Sequence, residues 1–223
     1  MLDERLSLAA AMYAPCDLGA DIGTDHGLLP CHLLQQNICQ RMIFADVSDK
    51  ALLHAREQVS RQHLDHRAAF ACADGLDAIT ERCGCISIMG MGGETIAGIL
   101  NRGQSKLQNA VLVLSAHTDL HLVRKAVMEI GYHIVREELC QAAGRYYVVW
   151  RAEPGAAALS DEEIRFGPLL MHTSSPLLQR YIAWRIKVLG DRLRGLLSAR
   201  EPDESAIAAI QKDIAYYQAR LEV

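Results

Sequence analysis

Short apolar runs recur along the first two thirds of the chain, at residues 17–22, 42–47, 68–72, 85–89 and 111–114. Between them, over 28–37, 49–63, 94–100 and 120–130, apolar positions return every three or four residues. A short continuous run bounded by turn residues reads as a buried strand, and the three-to-four spacing as an amphipathic helix. Their alternation predicts a parallel sheet with helices on both faces. Gly131 closes the last of these helices as a C-cap. Two further strand-like segments, 132–139 and 146–151, are separated by "CQAAGR", which leaves no room for a crossover helix. They are expected to pair antiparallel, as a hairpin at the edge of a seven-stranded α/β sheet.

Beyond the linker-like "AEPGAAALS" the pattern turns helical to the end. Ile182, Ile186, Leu189, Leu193 and Leu196 step by four and three, and Ile207, Ile210, Ile214, Tyr217 and Leu221 repeat the stepping after "REPDES". Two such seams around a proline turn predict an antiparallel α-helical coiled-coil hairpin. The expected division is therefore an α/β domain at 1–155 and a helical domain at 156–223.

A chain of 223 residues, 50% of them hydrophobic, supports one substantial core with a smaller addition. No apolar run approaches the roughly 20 residues needed to span a bilayer, and Met1-Leu2-Asp3-Glu4-Arg5 lacks the basic start of a signal peptide. The expectation is a cytoplasmic protein with no membrane partner, as a monomer or weak homo-oligomer. The seven cysteines are scattered, with no pair of CxxC motifs, and Cys31, Cys39, Cys72 and Cys140 lie in apolar context. They read as buried thiols rather than zinc ligands. His117 and His121 sit four apart around Asp119, which reads as the N-cap of the helix that follows. No metal is expected.

The formal charge of −4 belongs to the first 160 residues, because 161–223 carry nine acids and nine bases. Within that neutral tail Arg180, Arg185, Lys187, Arg192, Arg194 and Arg200 are interrupted only by Asp191. Such a cluster can meet phosphate; a solvated helix face is the alternative.

The chemistry concentrates in "GADIGTDHGLLP", residues 19–30. Gly23 and Gly27 let the chain turn tightly off the first strand, so that backbone amides near the next helix face a ligand. Asp21 closes the strand at the carboxyl edge, where open α/β sheets bind ligands. The dinucleotide fingerprint G-x-G-x-x-G is absent. An acid just before the turn suits a ligand carrying an ammonium group, as the methionine end of S-adenosylmethionine (SAM) does. Asp46, in "FADVSD", ends the second strand, where a carboxylate can accept from ribose hydroxyls. Asp74, in "CADGLD", follows the third and can accept from an exocyclic adenine amine, with Gly75 bending the loop. At the end of the fourth strand, Gly90, Gly92 and Gly93 in "IMGMGGE" let a planar group approach the main chain. The acceptor is expected there.

These stretches, with "RLSLAA", "ADGLDAI", "TDLHLVRKAVMEIGY", "EELCQAAGRYYVV" and "FGPLLMHTSSPLLQRYI", resemble the bacterial tRNA (adenine(22)-N1)-methyltransferases, or TrmK-like proteins, over nearly the whole chain. The resemblance implies a Rossmann-like class I methyltransferase fold with a C-terminal coiled coil, SAM as donor and tRNA as substrate. It places Asp21, Gly23, Thr24, Asp25 and His26 in the first SAM motif, Asp46 at the ribose, Asp74 and Gly75 beside the adenine, and Gly90, Met91, Gly92 and Gly93 in the loop beside the acceptor base, where Gly92 and Gly93 are expected to bind the cofactor as well. Gly90 and Met91, with His117, are expected on the acceptor side, with no general base. Arg180, Arg185, Lys187, Arg192 and Arg194 are expected to hold RNA. The chain departs from the family pattern at Leu114-Ser115-Ala116-His117, where the family has L-Q-P-N, and at Lys50-Ala51, where it has glycine-proline. Two other functions stay open: a SAM-dependent enzyme for a different acceptor, and a catalytically silent, SAM-responsive RNA-binding protein.

Overall fold

The structure, a computed structural model, describes residues 2–221; positions 1, 222 and 223, at the outer bounds of the two expected domains, lie outside the described residues. Helix α1 (Glu4–Met12) leads into β1 (Cys16–Ile22), α2 (Leu28–Gln35), β2 (Cys39–Asp46), α3 (Asp49–Arg61), β3 (Ala68–Cys72) and β4 (Cys85–Met91). Then follow α4 (Gly93–Arg102), β5 (Val111–Ala116), α5 (Leu120–Glu129), β6 (Tyr132–Ala142), β7 (Arg145–Pro154) and α6 (Asp161–Phe166). The sheet runs β3-β2-β1-β4-β5-β7-β6, with the first five strands parallel and the β6–β7 hairpin antiparallel. The hairpin lies at the edge, as its short connection requires, but the strand that docks on β5 is β7.

Helix α1 lies where the pattern shows none, and α6 directly follows the stretch read as linker. Asp3 caps α1, its Oδ1 accepting from the Leu6 amide at 2.8 Å. Ser160, the last residue of the linker stretch, and Glu163 form a reciprocal capping box that starts α6. Docking of this segment depends on Glu137 of β6, which is 4% exposed. Its Oε1 accepts from Arg124 Nε and Trp150 Nε1, each at 2.8 Å, and its Oε2 from the amides of Leu169 and Leu170 at 3.0 and 2.8 Å. Arg124, 1% exposed, also donates to the carbonyls of Ile164 and Arg165 at 3.1 and 3.3 Å. The buried charges thus have partners on all sides, the condition under which a buried ion pair is tolerated.

That network carries the first compact unit to Met171, past the boundary expected at 155; the second runs from His172 to Val223. The second unit pairs α7 (Pro176–Leu197), capped by Ser175, with α8 (Glu204–Leu221). Leu178, Tyr181, Ile182, Leu189, Ile210 and Tyr217 of these helices are buried. All seven cysteines are free thiols. Cys72, expected in the core, is exposed; it is the last residue of β3, the sheet's outer strand. Among the described residues no helix is long and apolar enough to cross a membrane.

Candidate active site

The strand order reverses around β1, which pairs β2 on one side and β4 on the other. At such a switch point the loops diverge and leave a crevice at the carboxyl ends of the strands. A crevice of about 440 Å³ lies there, lined by Asp21, the 23–29 loop, Asp46, Met89, Gly90, Met91 and His117, with Arg5 and Leu6. Its volume falls within the roughly 300–1,000 Å³ common for small-molecule sites.

Gly23 and Gly27 adopt φ of +81° and +64°, the left-handed conformation that glycine enters without strain. A Cβ on Gly23 would lie 2.1 Å from Met91 Cε, and one on Gly27 3.0 Å from Phe44 and 3.3 Å from Ala55. The loop is therefore packed down on β2, α3 and Met91. Its first two amides are used within the fold, and are separate from those near the next helix that were expected to face a ligand. Gly23 and Thr24 both donate to the Ala45 carbonyl, at 2.8 and 2.9 Å, and tie the turn to β2.

Asp21 is 8% exposed and rests on a hydrogen-bonded chain from the core. Tyr13 donates to Ser87 Oγ at 2.8 Å, and Ser87 donates to Asp21 Oδ1 at 2.5 Å. Burial raises the Asp21 pKa, opposed by the Ser87 hydroxyl and the Arg5 guanidinium. A carboxylate under this desolvation gains from any cation that reaches it. Asp46 is half-buried, and its Oδ1 accepts from the Ser48 amide at 2.8 Å. That bond uses one of about four lone-pair positions of a carboxylate. Arg5 brings the opposite charge to the same crevice, and its Nε is buried without a hydrogen-bond partner among the described residues.

At the other end of the crevice, Gly90 has φ of +78° and lies 3.9 Å, from an ideal Cβ position, to Arg5 Nη1. The His117 amide donates to the Met91 carbonyl at 2.9 Å, which sets the imidazole beside this loop. The ring meets Tyr147 edge-on at 5.9 Å, and Arg5 lies over the same tyrosine ring at 5.2 Å from its centroid. Burial, then Arg5 and Arg145, lower the His117 pKa, so the imidazole is held neutral.

Asp74, Gly75, Gly92 and Gly93 are not among the residues that line the crevice. Asp74 pairs with Arg102 at 3.1 Å on the surface, and Gly75 packs against Ile99. Gly93 is needed for a different contact, since a Cβ there would lie 2.3 Å from the Asp119 carbonyl. Its amide donates to the Thr118 carbonyl at 3.0 Å, locking the two loops together. Asp119 stands at the N-cap position of α5 but in the left-handed region, φ +51°, with no side-chain cap bond. The helix start is positioned by the loop contact and not by an aspartate cap.

On the second unit, Arg180, Lys187, Arg192 and Arg194 are exposed, Arg194 pairing with Asp191. Arg180, Lys187 and Arg194 recur every seven residues and share one face of α7. Arg185 does not join them. It is half-buried, with its guanidinium carbon 5.9 Å from the Trp184 and Tyr217 ring centroids. Burial alone would lower its pKa, but Tyr181, Tyr217 and Asp213 outweigh that and raise it. Arg5, Tyr13, Ser87, Met89 and Tyr147 were not among the expected site residues, for they come from α1, the residue after it, β4 and β7. Only Arg5 carried a signal, as a basic residue inside the "RLSLAA" stretch.

A parallel sheet with an antiparallel hairpin edge, and acids at the carboxyl ends of its first two strands, defines a class I methyltransferase architecture. The chain belongs to the methyltransferase domain family, which matches residues 2–150. Within that family it is TrmK-like. It is 31% identical over 156 residues to the tRNA (adenine(22)-N(1))-methyltransferase of Bacillus subtilis strain 168, an alignment covering 69% of this chain and 66% of that protein. The structure of Streptococcus pneumoniae Sp1610 in complex with S-adenosyl-L-methionine superposes with a TM-score of 0.88 at 27% identity, covering 99% of this chain and 100% of the other. M. capricolum TrmK, solved with S-adenosyl-homocysteine, shares the fold at a TM-score of 0.86 and 24% identity, covering 100% and 98% of the two chains.

Proposed function

We propose that the protein transfers the methyl group of SAM to N1 of the adenine at position 22 of tRNA. The observation that carries this reading is the placement of Asp21, Asp46 and Arg5 around one crevice, in a chain whose relatives include a tRNA adenine-N1 methyltransferase and a SAM complex. The residues present fit the donor. Its methionine end bears an ammonium and a carboxylate, and the crevice offers a desolvated acid and a buried, unpartnered guanidinium Nε. Asp21 holds the ammonium, Arg5 the carboxylate and Asp46 the ribose hydroxyls. Thr24, Asp25 and His26 form the wall of the methionine end. When bound, SAM supplies an electrophilic methyl on a sulfonium.

Adenine N1 is a neutral nucleophile with a free lone pair, so no proton has to leave before transfer. The task of the chain is alignment, which can account for roughly 7–11 kcal/mol of a barrier. Gly90 and Met91 set the floor on which the base lies, and His117 with Tyr147 borders its edge. The methylated base is cationic. A neutral His117 can hydrogen-bond to it without placing a positive charge against the ring, and Asp21 and Asp46 stabilise the charge that develops. In a duplex N1 is paired, so the base must be loosened or extruded at a cost of a few kcal/mol. Contacts elsewhere on the RNA offset that cost, and the Arg180, Lys187, Arg194 face, with Arg192, is suited to backbone phosphate. Such a substrate places the protein in the cytoplasm.

Incubation with labelled SAM and total bacterial tRNA, followed by nucleoside analysis, tests the reading. Label in 1-methyladenosine is expected; SAM binding without label in any tRNA nucleoside would overturn it.

A further inference from the structure

On the outer rim of the crevice, the loop after β1 and the middle of α3 bring Asp25, His26 and His54 together. Their ligand-capable atoms lie within 4.8 Å of one another, and among the described residues they form the one group of three or more such side chains. Asp25 Oδ2 and His26 Nε2 are 3.2 Å apart, and the His26 and His54 rings stack at 5.3 Å between centroids. We propose that these three side chains form a binding site for one divalent transition-metal ion, against the expectation from sequence that the protein binds none.

The backbone supports this grouping independently of the side chains. Gly27, next to His26, packs on Ala55, next to His54, so closely that a Cβ would approach the Ala55 Cβ to 3.3 Å. Ala55 itself is fully buried. The loop and the helix therefore hold the two histidines in register even though all three side chains are exposed. Two imidazoles and a carboxylate, with water in the fourth position, are the donor set of open zinc sites, with bonds of roughly 2.0–2.2 Å. Bonds of that length put neighbouring ligand atoms about 3.3 Å apart in a tetrahedron. Asp25 and His26 already meet that spacing at 3.2 Å, and His54 offers its ligand atom within 4.8 Å of both. Magnesium and calcium, which prefer six or more oxygen ligands, do not match the set. The sequence hid the site because His54 is 28 positions beyond His26 and no short motif joins them.

An ion here ties the 23–27 loop to α3, and it stabilises the fold by mass action as any ligand of the native state does. The site stands whether or not the donor reading above is correct, since the test involves no methyl transfer. Titration of the full chain with Co2+ is expected to give the visible bands of a four-coordinate centre at one equivalent, without a thiolate-to-metal band, and to raise the melting temperature. His54→Ala should weaken Co2+ binding by about tenfold or more, leaving SAM affinity in chelator unchanged. His54→Cys should restore tight binding and add the thiolate band. Absence of Co2+ binding at millimolar concentration, or binding undiminished in His54→Ala, would overturn the proposal. So would a thiolate band in the parent chain, which would assign the ion to a cysteine such as the exposed Cys72.

Discussion

At the crevice, charged groups are held from beneath. Asp21 rests on Ser87 and Tyr13, and further along the sheet Glu137 is fixed by Arg124, Trp150 and two backbone amides. On the C-terminal hairpin the arrangement is reversed: Arg180, Lys187, Arg192 and Arg194 stand in solvent, and of the basic cluster on α7 Arg185 is drawn among aromatic rings. The two regions suit different tasks. A small molecule is recognised by few groups at fixed distances, so those groups must be preorganised and partly desolvated. A polyanion is recognised by many screened charges, each weak and none requiring exact placement. Burial is therefore a guide to function in the first unit and almost none in the second.

Breaking the support of the first unit should have the largest effect. Glu137→Ala leaves Arg124 buried and uncompensated, with Trp150 and two amides unpaired, and should cost about 3–5 kcal/mol of stability. Denaturant unfolding followed through Trp150 fluorescence would measure it. A loss under 1 kcal/mol, as for a typical exposed pair, would remove the contrast between the two regions.

Asp46→Ala sharpens the comparison at the site itself. It should weaken SAM binding by roughly 1.5–3 kcal/mol, the range for hydrogen bonds to a charged group, with little change in melting temperature. Calorimetry that returned the parent affinity would dismiss the ribose role.

The hairpin is divided by a pair of variants. Replacing Arg180, Lys187 and Arg194 with glutamine should flatten the salt dependence of tRNA affinity by roughly one unit, or a little less, per lost phosphate contact. Arg185→Gln should instead lower thermal stability and leave that slope alone. The opposite pattern would mean that Arg185 leaves its aromatic surroundings to meet RNA.

The smallest expected effect is a pH limit. Burial, Arg5 and Arg145 hold the His117 pKa below its ordinary value of 6.5. The midpoint of its protonation thus lies below pH 6.5, and more than half of the imidazole is neutral at that pH. The methylation rate should accordingly still exceed half its plateau at pH 6.5 and reach its half-point only at lower pH. His117→Asn should lose this acid limb, as read from the rate profile with tRNA saturating; a parent rate already halved at pH 6.5 would contradict the shift.

Which parts of this were visible in the linear chain follows from the range of the interactions that set them. All seven strands and six of the helices follow from local periodicity, and the turn at Gly23 and Gly27 from glycine itself, whose positive φ is a property of the residue. Helix α1 was not legible because its short "ERLSLAAAM" gives no clean stripe, and α6 was not separable from the helical tail because its bounds depend on a cap and on distant Glu137. Asp74 shows what local pattern leaves out: it lies two residues beyond β3, whereas Asp21 lies within β1, and it forms an exposed ion pair with Arg102, 28 residues on.

The sequence by itself determined the order of strands and helices, the glycine loop and the identity of the acids at the ends of β1 and β2, because each depends on residues within a few positions of one another. Tertiary structure alone decided that Arg5 enters the crevice from α1, that Ser87 and Tyr13 support Asp21, that Arg185 leaves the basic face, and that His54 meets His26. Those outcomes turn on which side chains the closed sheet and the packed helices bring within a few ångströms, a matter of register and burial that no local pattern encodes.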